Sequence, residues 1–344
     1  MNSQTIAVYG ASGHTGGFVL RELESRGCAT IAIARNPGRP AGDERSDARR
    51  EWRRASCDDP DGLDEALRGA DAVINCAGPF ADTAPALIEA ALRAGFHYLD
   101  VTAEQRSVRQ SLATYDDEAR ERGVVILPAM AFYGGLADLL AAEVTLGDRS
   151  VEDIEIGVAL DYWHPTEGTR RTGERNTARR LIVAGGHLKP ISRPAPVRQW
   201  TFPEPFGAQE VVAVPLSEIV TIHRHVSARN ICSYMNFTPL RDLEDPRTPP
   251  PTAIGPSGRS SQRFVMDVRA TSGHGQNRIV ASGRDIYAVT APIVVEACLR
   301  VLENPPVTGG AYAPAELFEA SSFLAALAPH LETRHQAESR RGVA

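Results

Sequence analysis

A glycine-rich turn near the start restricts the fold of this chain more than any other feature of the sequence. An apolar segment spans residues 5–9, and glycines follow at Gly10, Gly13 and Gly16 before a helical pattern begins. The first glycine allows a tight turn, the second lets a pyrophosphate approach backbone N–H groups, and the third lets helix and strand pack closely. Unpaired N–H groups at the helix start attract phosphate. We therefore predict a dinucleotide-binding turn; the alternative is an ordinary strand-to-helix turn in a protein without a nucleotide.

Residues in and after this turn indicate which dinucleotide is bound. Ser12, His14 and Thr15 lie within the turn and can add hydrogen-bond donors. The second apolar segment ends in Arg35-Asn36, where NAD-binding units carry an acidic residue for the ribose 2′-hydroxyl. Arginine at that position pairs with a 2′-phosphate through two parallel hydrogen bonds. We therefore expect NADP(H) rather than NAD(H), although Arg35 can also be a solvated charge at a strand end.

Strand and helix patterns alternate up to about residue 128 and predict a doubly wound parallel sheet, which binds ligands at the carboxyl ends of its strands. The third strand leads to Asp58, which either accepts from the adenine amine or caps the helix at 60–68. The next strand leads into a loop over the middle of the cofactor, and the fifth strand ends at Thr102. The expected cofactor contacts in that loop are Ala77, Gly78, Pro79 and Phe80.

The second half of the chain has a different pattern, which predicts an α+β domain on a largely antiparallel sheet. Its strand-like segments lie at 197–202, 211–214, 218–225, 231–237, 264–270 and 279–284. An Ala/Val-rich helix at 287–303 is expected to return to the first domain. The predicted fold is therefore α/β, with a Rossmann domain of residues 1–128 plus about 285–344 and a substrate domain of about 129–284.

Two further segments lack a regular pattern. Residues 241–262 are rich in proline, glycine and serine and are expected to form a long loop, either an active-site lid or an unstructured segment. Residues 332–344 are expected to be a charged, frayed tail.

Composition argues against several classes of function. The net charge of −6 argues against nucleic acid as a partner. No signal pattern and no run of 18 apolar residues is present, so we expect a cytoplasmic protein that does not enter a membrane. Five scattered cysteines without a C-x-x-C pair suggest neither a disulfide framework nor a metal site. Lys189 is the only lysine, and Gly185 stands where the Tyr-x-x-x-Lys pair of short-chain dehydrogenases would need tyrosine.

Several segments, in this order and at this spacing, resemble the saccharopine dehydrogenase-like family. They are residues 10–16, 75–80, 98–104, 128–138, 167–172, 283–291 and 310–316. The resemblance implies an NADP-binding domain, an inserted α+β domain over the nicotinamide and a C-terminal helix that returns to the first domain. The family includes saccharopine reductases, carboxynorspermidine-type dehydrogenases and trans-acting enoyl reductases, so membership does not define the substrate.

We therefore expect an NADPH-dependent oxidoreductase that reduces a C=N bond or an activated C=C bond of a small organic substrate. The cofactor carries the hydride, so the protein must orient the substrate and supply a proton. The candidate proton donors are Tyr133, Tyr162 and His164. Alternatively, Tyr133 packs at a helix start and the other two belong to an aromatic cluster on the sheet. Arg170 and Arg171 are candidates for binding an anionic substrate group.

The alternative function is a non-catalytic NADP-binding sensor or scaffold, because similar glycine turns occur in regulatory Rossmann proteins. The large second domain argues against it, since a sensor needs no enclosed cleft. We also hypothesise a homodimer.

Overall fold

Two β-sheets organise the chain, and the computed structural model describes residues 4–36, 49–148 and 151–338 of it. The elements up to the end of the first sheet are β1 (Thr5–Tyr9), α1 (His14–Ser25), β2 (Ala29–Ala34), β3 (Arg50–Arg54), α2 (Pro60–Leu67), β4 (Ala72–Asn75), α3 (Phe80–Ala94), β5 (His97–Asp100), α4 (Gln105–Thr114), α5 (Asp116–Arg122) and β6 (Val125–Leu127).

A π-helical turn, Phe132–Leu136, leads into the later elements. These are α6 (Ala137–Val144), β7 (Val151–Leu160), α7 (Glu167–Arg175), β8 (Leu181–Ala184), β9 (His187–Pro190), β10 (Val197–Thr201), β11 (Ala208–Ala213), α8 (Glu218–His225), β12 (Ala228–Asn236), α9 (Phe237–Glu244), β13 (Arg263–Ser272), β14 (Gly275–Arg284), α10 (Ile286–Glu303), β15 (Gly310–Ala311), α11 (Pro314–Leu317), α12 (Ala320–Ala326) and β16 (Leu331–Glu338). Among the described helices, none is both long and apolar enough to span a bilayer.

The first sheet is parallel throughout and has seven strands in the order β15-β6-β5-β4-β1-β2-β3. Side chains of β1 alternate between two cores: Ile6 and Val8 face one, and Ala7 and Tyr9 face the other. Burial on both faces explains the continuous apolar runs of these strands. The strand order reverses between β1 and β4, and such a crevice is where doubly wound sheets bind ligands. The predicted fold class is confirmed for this half.

The second sheet has the main order β10-β11-β12-β7-β13-β14-β16, with β8 beside β12 and β9 beside β8. β7 and β12 run parallel, whereas the other pairs are antiparallel. The prediction of a largely antiparallel sheet is therefore confirmed as well. One continuous apolar core extends from β1, α1 and α10 to β7 and β13, so both sheets share it.

Two sequence-based expectations for this half are wrong. Residues 218–225 form helix α8 instead of a strand: the short pattern fits both periods, and Ile219 and Ile222 reach the core three residues apart. Leu331–Glu338, expected in a frayed tail, forms β16 and pairs with β14. Its described side chains after Leu331 are exposed up to residue 335, so no apolar alternation marks it as a strand. Residues 339–344 of the expected tail lie outside the described residues.

Candidate active site

The glycine turn has the geometry that a phosphate-binding turn requires. Gly10 adopts a φ of 80°, which side chains disfavour, and a Cβ there would come within 2.9 Å of the Ala77 Cβ. A Cβ on Gly16 would overlap the carbonyl oxygen of Gly10. Gly13 precedes α1, and no side chain of the described residues caps this helix. The first N–H groups of α1 are therefore available to a phosphate.

His14 links this turn to the second half of the chain. Its ring meets the edges of Phe18 and Tyr287, with centroids 5.1 Å and 5.4 Å apart. Burial lowers the pKa of His14 below its usual 6.5, so the ring is neutral at pH 7. Its buried Nε2 has no partner among the described residues, and such a group is ready for a ligand. Ser12 is exposed and Thr15 half-buried on the same turn.

An exposed, positively charged side chain, Arg35, lies just after the end of β2. Arg35 and Asn36 are exposed at the end of β2, and Arg35 has no ion pair or hydrogen bond within the described part of the chain. Burial raises the pKa of Tyr9, and the nearby charge of Arg35 opposes that effect. Asp59 rather than Asp58 caps α2, by accepting from the Gly62 N–H at 3.1 Å. The capping alternative for Asp58 is therefore wrong, and its contact with adenine stays a prediction.

Three polar side chains, two of them buried, hold the loop that follows β4. Asn75 Oδ1 accepts from the Ala77 N–H at 3.0 Å, and the Thr83 hydroxyl donates to the Ala77 carbonyl at 2.7 Å. Glu104 Oε1 accepts from the Phe80 N–H at 2.7 Å. Phe80 itself is buried. The loop from residue 77 to 80 is thus fixed in shape before any ligand binds.

Helix α7 of the second domain lies directly against this loop. A Cβ on Gly78 would lie 2.5 Å from Thr172 Oγ1. Pro79 follows through a cis peptide bond and is half-buried. Arg175 of α7 forms an ion pair of 3.0 Å with Asp82 of α3. α7 therefore covers the loop that was predicted to lie over the middle of the cofactor.

The buried Asp100 carboxylate shapes the entry to the second domain. Its Oδ1 accepts from the N–H groups of Thr102 and Ala129 at 3.0 Å and 2.8 Å, and Tyr98 donates to Oδ2 at 2.8 Å. Burial raises the pKa of Asp100 to about 6. Ala129 has a φ of 61°, a strained value for a residue with a side chain. Thr102 is fully buried and its hydroxyl accepts from the Glu104 N–H, so it faces the protein's own backbone.

Tyr133 lies on the π-helical turn, just after this strained residue. Its hydroxyl is buried and has no partner among the described residues. Its ring lies 6.0 Å from Trp163, whose Nε1 donates to the Tyr287 hydroxyl at 2.7 Å. Tyr287 in turn contacts His14. Tyr133 therefore lies next to an aromatic group, formed by Trp163, Tyr287 and His14, that extends to the cofactor turn.

Tyr162 and His164 lie on the other side of the same segment. The Tyr162 hydroxyl is 2.8 Å from Ser261 Oγ. The rings of Tyr162 and His164 contact each other, with centroids 4.5 Å apart. Trp163 between them faces Tyr287, as alternation along an extended segment requires. The structure does not bring Tyr162 and His164 into the group around Tyr133. Their catalytic roles, like that of Tyr133, stay predictions.

The two arginines of α7 predicted to bind an anionic substrate group are engaged in structural contacts. Arg170 donates to the carbonyl groups of Leu243, Asp245 and Thr248 at 3.3, 3.1 and 2.9 Å. Arg171 pairs with Glu167 on the surface. Arg170 thus holds the start of the proline-rich loop.

The end of that loop reaches the cofactor turn. A Cβ on Gly258 would lie 3.3 Å from the Arg21 guanidinium and 3.7 Å from the Phe18 ring. Ser260 N–H donates to Asp285 Oδ2 at 2.7 Å. The loop therefore runs from α7 to the first turns of α1, across the edge of the crevice.

Sequence reasoning missed three residues of this region: Tyr287, Glu218 and Arg180. Tyr287 lies in a segment that carries the family resemblance, which was the available signal. Its hydroxyl accepts from Trp163 Nε1 and from the Thr166 N–H. Glu218 gave no signal, because the strand prediction placed it on a sheet rather than at the start of a helix.

Glu218 is a buried carboxyl group, 2% exposed. Its Oε1 accepts from the Ser233 hydroxyl at 2.6 Å and from the Leu216 N–H at 2.8 Å. Its Oε2 has no partner among the described residues. Burial raises the pKa of Glu218 to about 7, and the charge of Arg180 and these hydrogen bonds oppose the rise. The charge of Glu218 also raises the pKa of Tyr133, to which burial contributes most.

The raised pKa predicts a pH-dependent effect of Glu218→Gln on stability. The folded chain keeps this proton up to about pH 7, whereas an unfolded glutamate releases it near 4.5, so Glu218 destabilises the fold progressively between these values. The free energy of unfolding of the variant should therefore equal that of the parent at pH 4.5 and be about 1–3 kcal/mol higher at pH 8. Urea unfolding across this range measures the difference.

The matched control is Glu174→Gln, which changes an exposed glutamate of α7. It should follow the parent at every pH. Parallel stability curves for Glu218→Gln and its parent would contradict the buried, proton-holding state of Glu218.

Comparisons with known proteins match this geometry. Residues 6–127 fit the model of the family described as the saccharopine dehydrogenase NADP binding domain. The "Saccharopine dehydrogenase-like oxidoreductase" of Mus musculus is 28% identical over 152 residues, 39% of this chain and 35% of that protein. The chain thus spans about a third of the length of this relative.

One solved structure resembles the whole fold. It is a saccharopine dehydrogenase (L-Glu forming) from Saccharomyces cerevisiae in the apo form, with a TM-score of 0.65 and 12% sequence identity. The match covers 97% of this chain and all of that one. It shows that the two-domain fold is shared over nearly the full length.

Two further relatives overturn the expectation of a cytoplasmic protein. An Arabidopsis thaliana relative is named a probable mitochondrial saccharopine dehydrogenase-like oxidoreductase, with 30% identity over 162 residues, 41% of this chain and 33% of that protein. A Caenorhabditis elegans relative, 29% identical over 153 residues, is named a lipid droplet localized protein; the match covers 40% of this chain and 35% of that protein. A cytoplasmic location is therefore a wrong inference from the sequence.

The expected cofactor, NADP(H), is confirmed by the domain that residues 6–127 match. Within the described residues, the His14 nitrogen, the start of α1 and the Arg35 guanidinium have no side-chain partner, and all three fit that cofactor. Residues 6–127 thus match the saccharopine dehydrogenase NADP binding domain, and the relatives found are similar to this chain over about two fifths of its length.

Proposed function

We propose that this chain is an NADPH-dependent reductase acting on a C=N bond or an activated C=C bond of a small organic substrate, with Tyr133 as the proton donor. The observation that carries the proposal is the buried Tyr133 hydroxyl, which has no partner in the part of the chain that the structure describes. It lies beside Trp163 and Tyr287, which connect it to His14 of the cofactor turn.

The residues of the first domain would hold the cofactor along the crevice. The glycine turn and the start of α1 would bind the pyrophosphate, and Arg35 the 2′-phosphate. The loop at 77–80, with α7 against it, would cover the middle of the cofactor and exclude water. When bound, NADPH supplies a hydride to an electrophilic carbon of the substrate.

Tyr133 is suited to deliver the matching proton. Burial raises the pKa of Tyr133 well above its usual 10, so its hydroxyl is neutral at pH 7. No described residue uses that hydroxyl, whereas the Tyr162 hydroxyl is already within hydrogen-bond distance of Ser261. Between the two tyrosines, the geometry therefore favours Tyr133 as the general acid.

A sensor or scaffold is the competing function. Buried polar atoms without partners cost free energy, and such groups cluster at catalytic sites. Tyr133 and Glu218 both carry such an atom on the inner side of the second domain. A protein that only reports NADP occupancy has no use for them, which favours the reductase.

The first prediction from this proposal concerns cofactor choice. Arg35→Ala should weaken NADPH binding by about 1.5–3 kcal/mol, because charged hydrogen bonds to the 2′-phosphate are lost. NADH binding should not change. Isothermal titration of both cofactors measures the effect, with Arg122→Ala as control, since Arg122 pairs with Glu118 on the surface of α5. Equal affinities of the parent for NADPH and NADH would disprove this role of Arg35.

The second prediction concerns the proton donor. Tyr133→Phe should lower kcat by about 10²–10⁴-fold and leave NADPH affinity unchanged, because only the general acid is removed. Tyr162→Phe is the matched control and His164→Gln a second one, and both should turn over nearly like the parent. Single-turnover oxidation of NADPH with a panel of imines and α,β-unsaturated thioesters measures the rates.

Full activity of Tyr133→Phe together with a slow Tyr162→Phe would transfer the donor role to Tyr162. Tight NADPH binding without oxidation by any member of the panel would favour the sensor.

A further inference from the structure

Three buried polar atoms without a partner among the described residues lie on two elements that pack together, the π-helical turn and the start of α8. They are the Tyr133 hydroxyl on the π-helical turn, Glu218 Oε2 on α8 and Ser217 Oγ just before α8. A Cβ on Gly134 would lie 3.0 Å from this Ser217 oxygen, so the two elements pack closely. Buried polar atoms nearly always have partners, and this group therefore marks a place for water or a ligand.

Tyr133 and Glu218 line the same small cavity. Most of its remaining walls are apolar and come from α6 and the second sheet, including Ile156, Val158 and Met266. About 10 Å³ is open to the centre of a water molecule, which is close to the room that a single water needs. A water there would find its partners in the two free oxygens.

We propose that Glu218 is the internal proton source for Tyr133, and that one water in this cavity connects them. The proposal rests on the proposed function, in which Tyr133 gives a proton to the substrate. The Tyr133 hydroxyl is buried in the ligand-free chain, so a buried acid that lines the same cavity is well placed to restore its proton. Glu218 acts through Tyr133 and is therefore a positioning and relay residue rather than one that touches the substrate.

The relay moves protons only, since the electron pair of the hydride comes from the cofactor. The Tyr133 O–H bond breaks as its proton joins the substrate, which leaves a phenolate. The water gives a proton to the phenolate and takes one from the Glu218 carboxyl group. The resulting carboxylate regains a proton from solvent on the side of the cavity where half-buried Tyr234 lies.

The surroundings of Glu218 suit this exchange. The charged and titratable groups that face it are Arg180, Tyr133 and Cys232, and the Ser233 hydroxyl donates to its other oxygen. Burial favours the acid and Arg180 favours the carboxylate, so both forms are accessible near neutral pH. A proton relay needs a group of this kind.

A crystal structure of the ligand-free chain at high resolution tests the connection. We expect one water within hydrogen-bond distance of both the Tyr133 hydroxyl and Glu218 Oε2. An empty cavity, or separate partners for the two atoms, would overturn the relay without affecting the cofactor site.

Infrared titration of the ligand-free protein gives a second readout. The parent should show a buried carboxylic-acid band that disappears as the pH rises through about 7. Glu218→Gln should lose this band, and Tyr133→Phe should shift its midpoint upward, because the carboxylate loses a hydroxyl that stabilises it through water. Glu296→Gln, a change in a glutamate paired with Arg26 and Arg300, should leave the band unchanged.

Ser233→Ala adds a variant that keeps the carboxyl group and removes one of its donors. It should also raise the midpoint. A midpoint that Tyr133→Phe leaves unchanged would show that the two groups are not connected.

Rapid-mixing kinetics separate this relay from the proposed function. With a substrate found in the panel, Glu218→Gln should oxidise one equivalent of NADPH at the parent rate and later equivalents more slowly. The reason is that Tyr133 starts protonated but is not efficiently reprotonated after the first turnover. Tyr133→Phe should lose the first turnover itself. If the steady-state rate of Glu218→Gln equals that of the parent while Tyr133→Phe remains slow, the relay is disproved and the donor role of Tyr133 is retained. A fast Tyr133→Phe would disprove the donor.

Discussion

The Asp100 carboxylate holds the junction between the two domains of this chain. It is fully buried and accepts from the backbone N–H groups of Thr102, just after β5, and Ala129, just after β6. The second of these bonds stabilises a positive φ at Ala129, a strain of about 1–3 kcal/mol that the surroundings must offset. This bond fixes the backbone just after β6, four residues before Tyr133, whose ring lies 6.0 Å from that of Trp163.

The second constraint is the close approach of glycines to their neighbours. Gly10 lies against Ala77, and Gly78 lies against Thr172 of α7. These two contacts connect the phosphate turn to the loop after β4, and that loop to the second domain. Since one apolar core runs under both sheets, the crevice has rigid walls, and its geometry exists before a ligand binds. A preformed site of this kind needs little reorganisation when it binds a cofactor.

Local chemistry was predictable from the sequence, and long-range packing was not. The glycine turn and the position of Arg35 at the end of β2 follow from short-range rules about backbone space and apolar patterning, whereas the phosphate contact of Arg35 stays a prediction. Tyr162, Trp163 and His164 were ambiguous, because a shift of one residue along an extended segment decides which ring faces Tyr287. Glu218 was hidden, because its burial depends on α8 docking against the π-helical turn 85 positions earlier in the sequence. Likewise, β16 shows no apolar alternation in its described side chains and is defined by its pairing with β14.

The chain's single lysine helps to explain why a carboxyl group lies beside Tyr133. Lys189 is exposed on β9, so no lysine is available to lower the pKa of a catalytic tyrosine. Burial instead keeps the Tyr133 hydroxyl neutral, which makes it a weak acid that must be recharged. A carboxyl group in the same apolar cavity suits that task, since burial brings its pKa close to neutral pH. In the proposed relay, the free-energy cost of burying Glu218 is a requirement of the chemistry rather than a defect of the core.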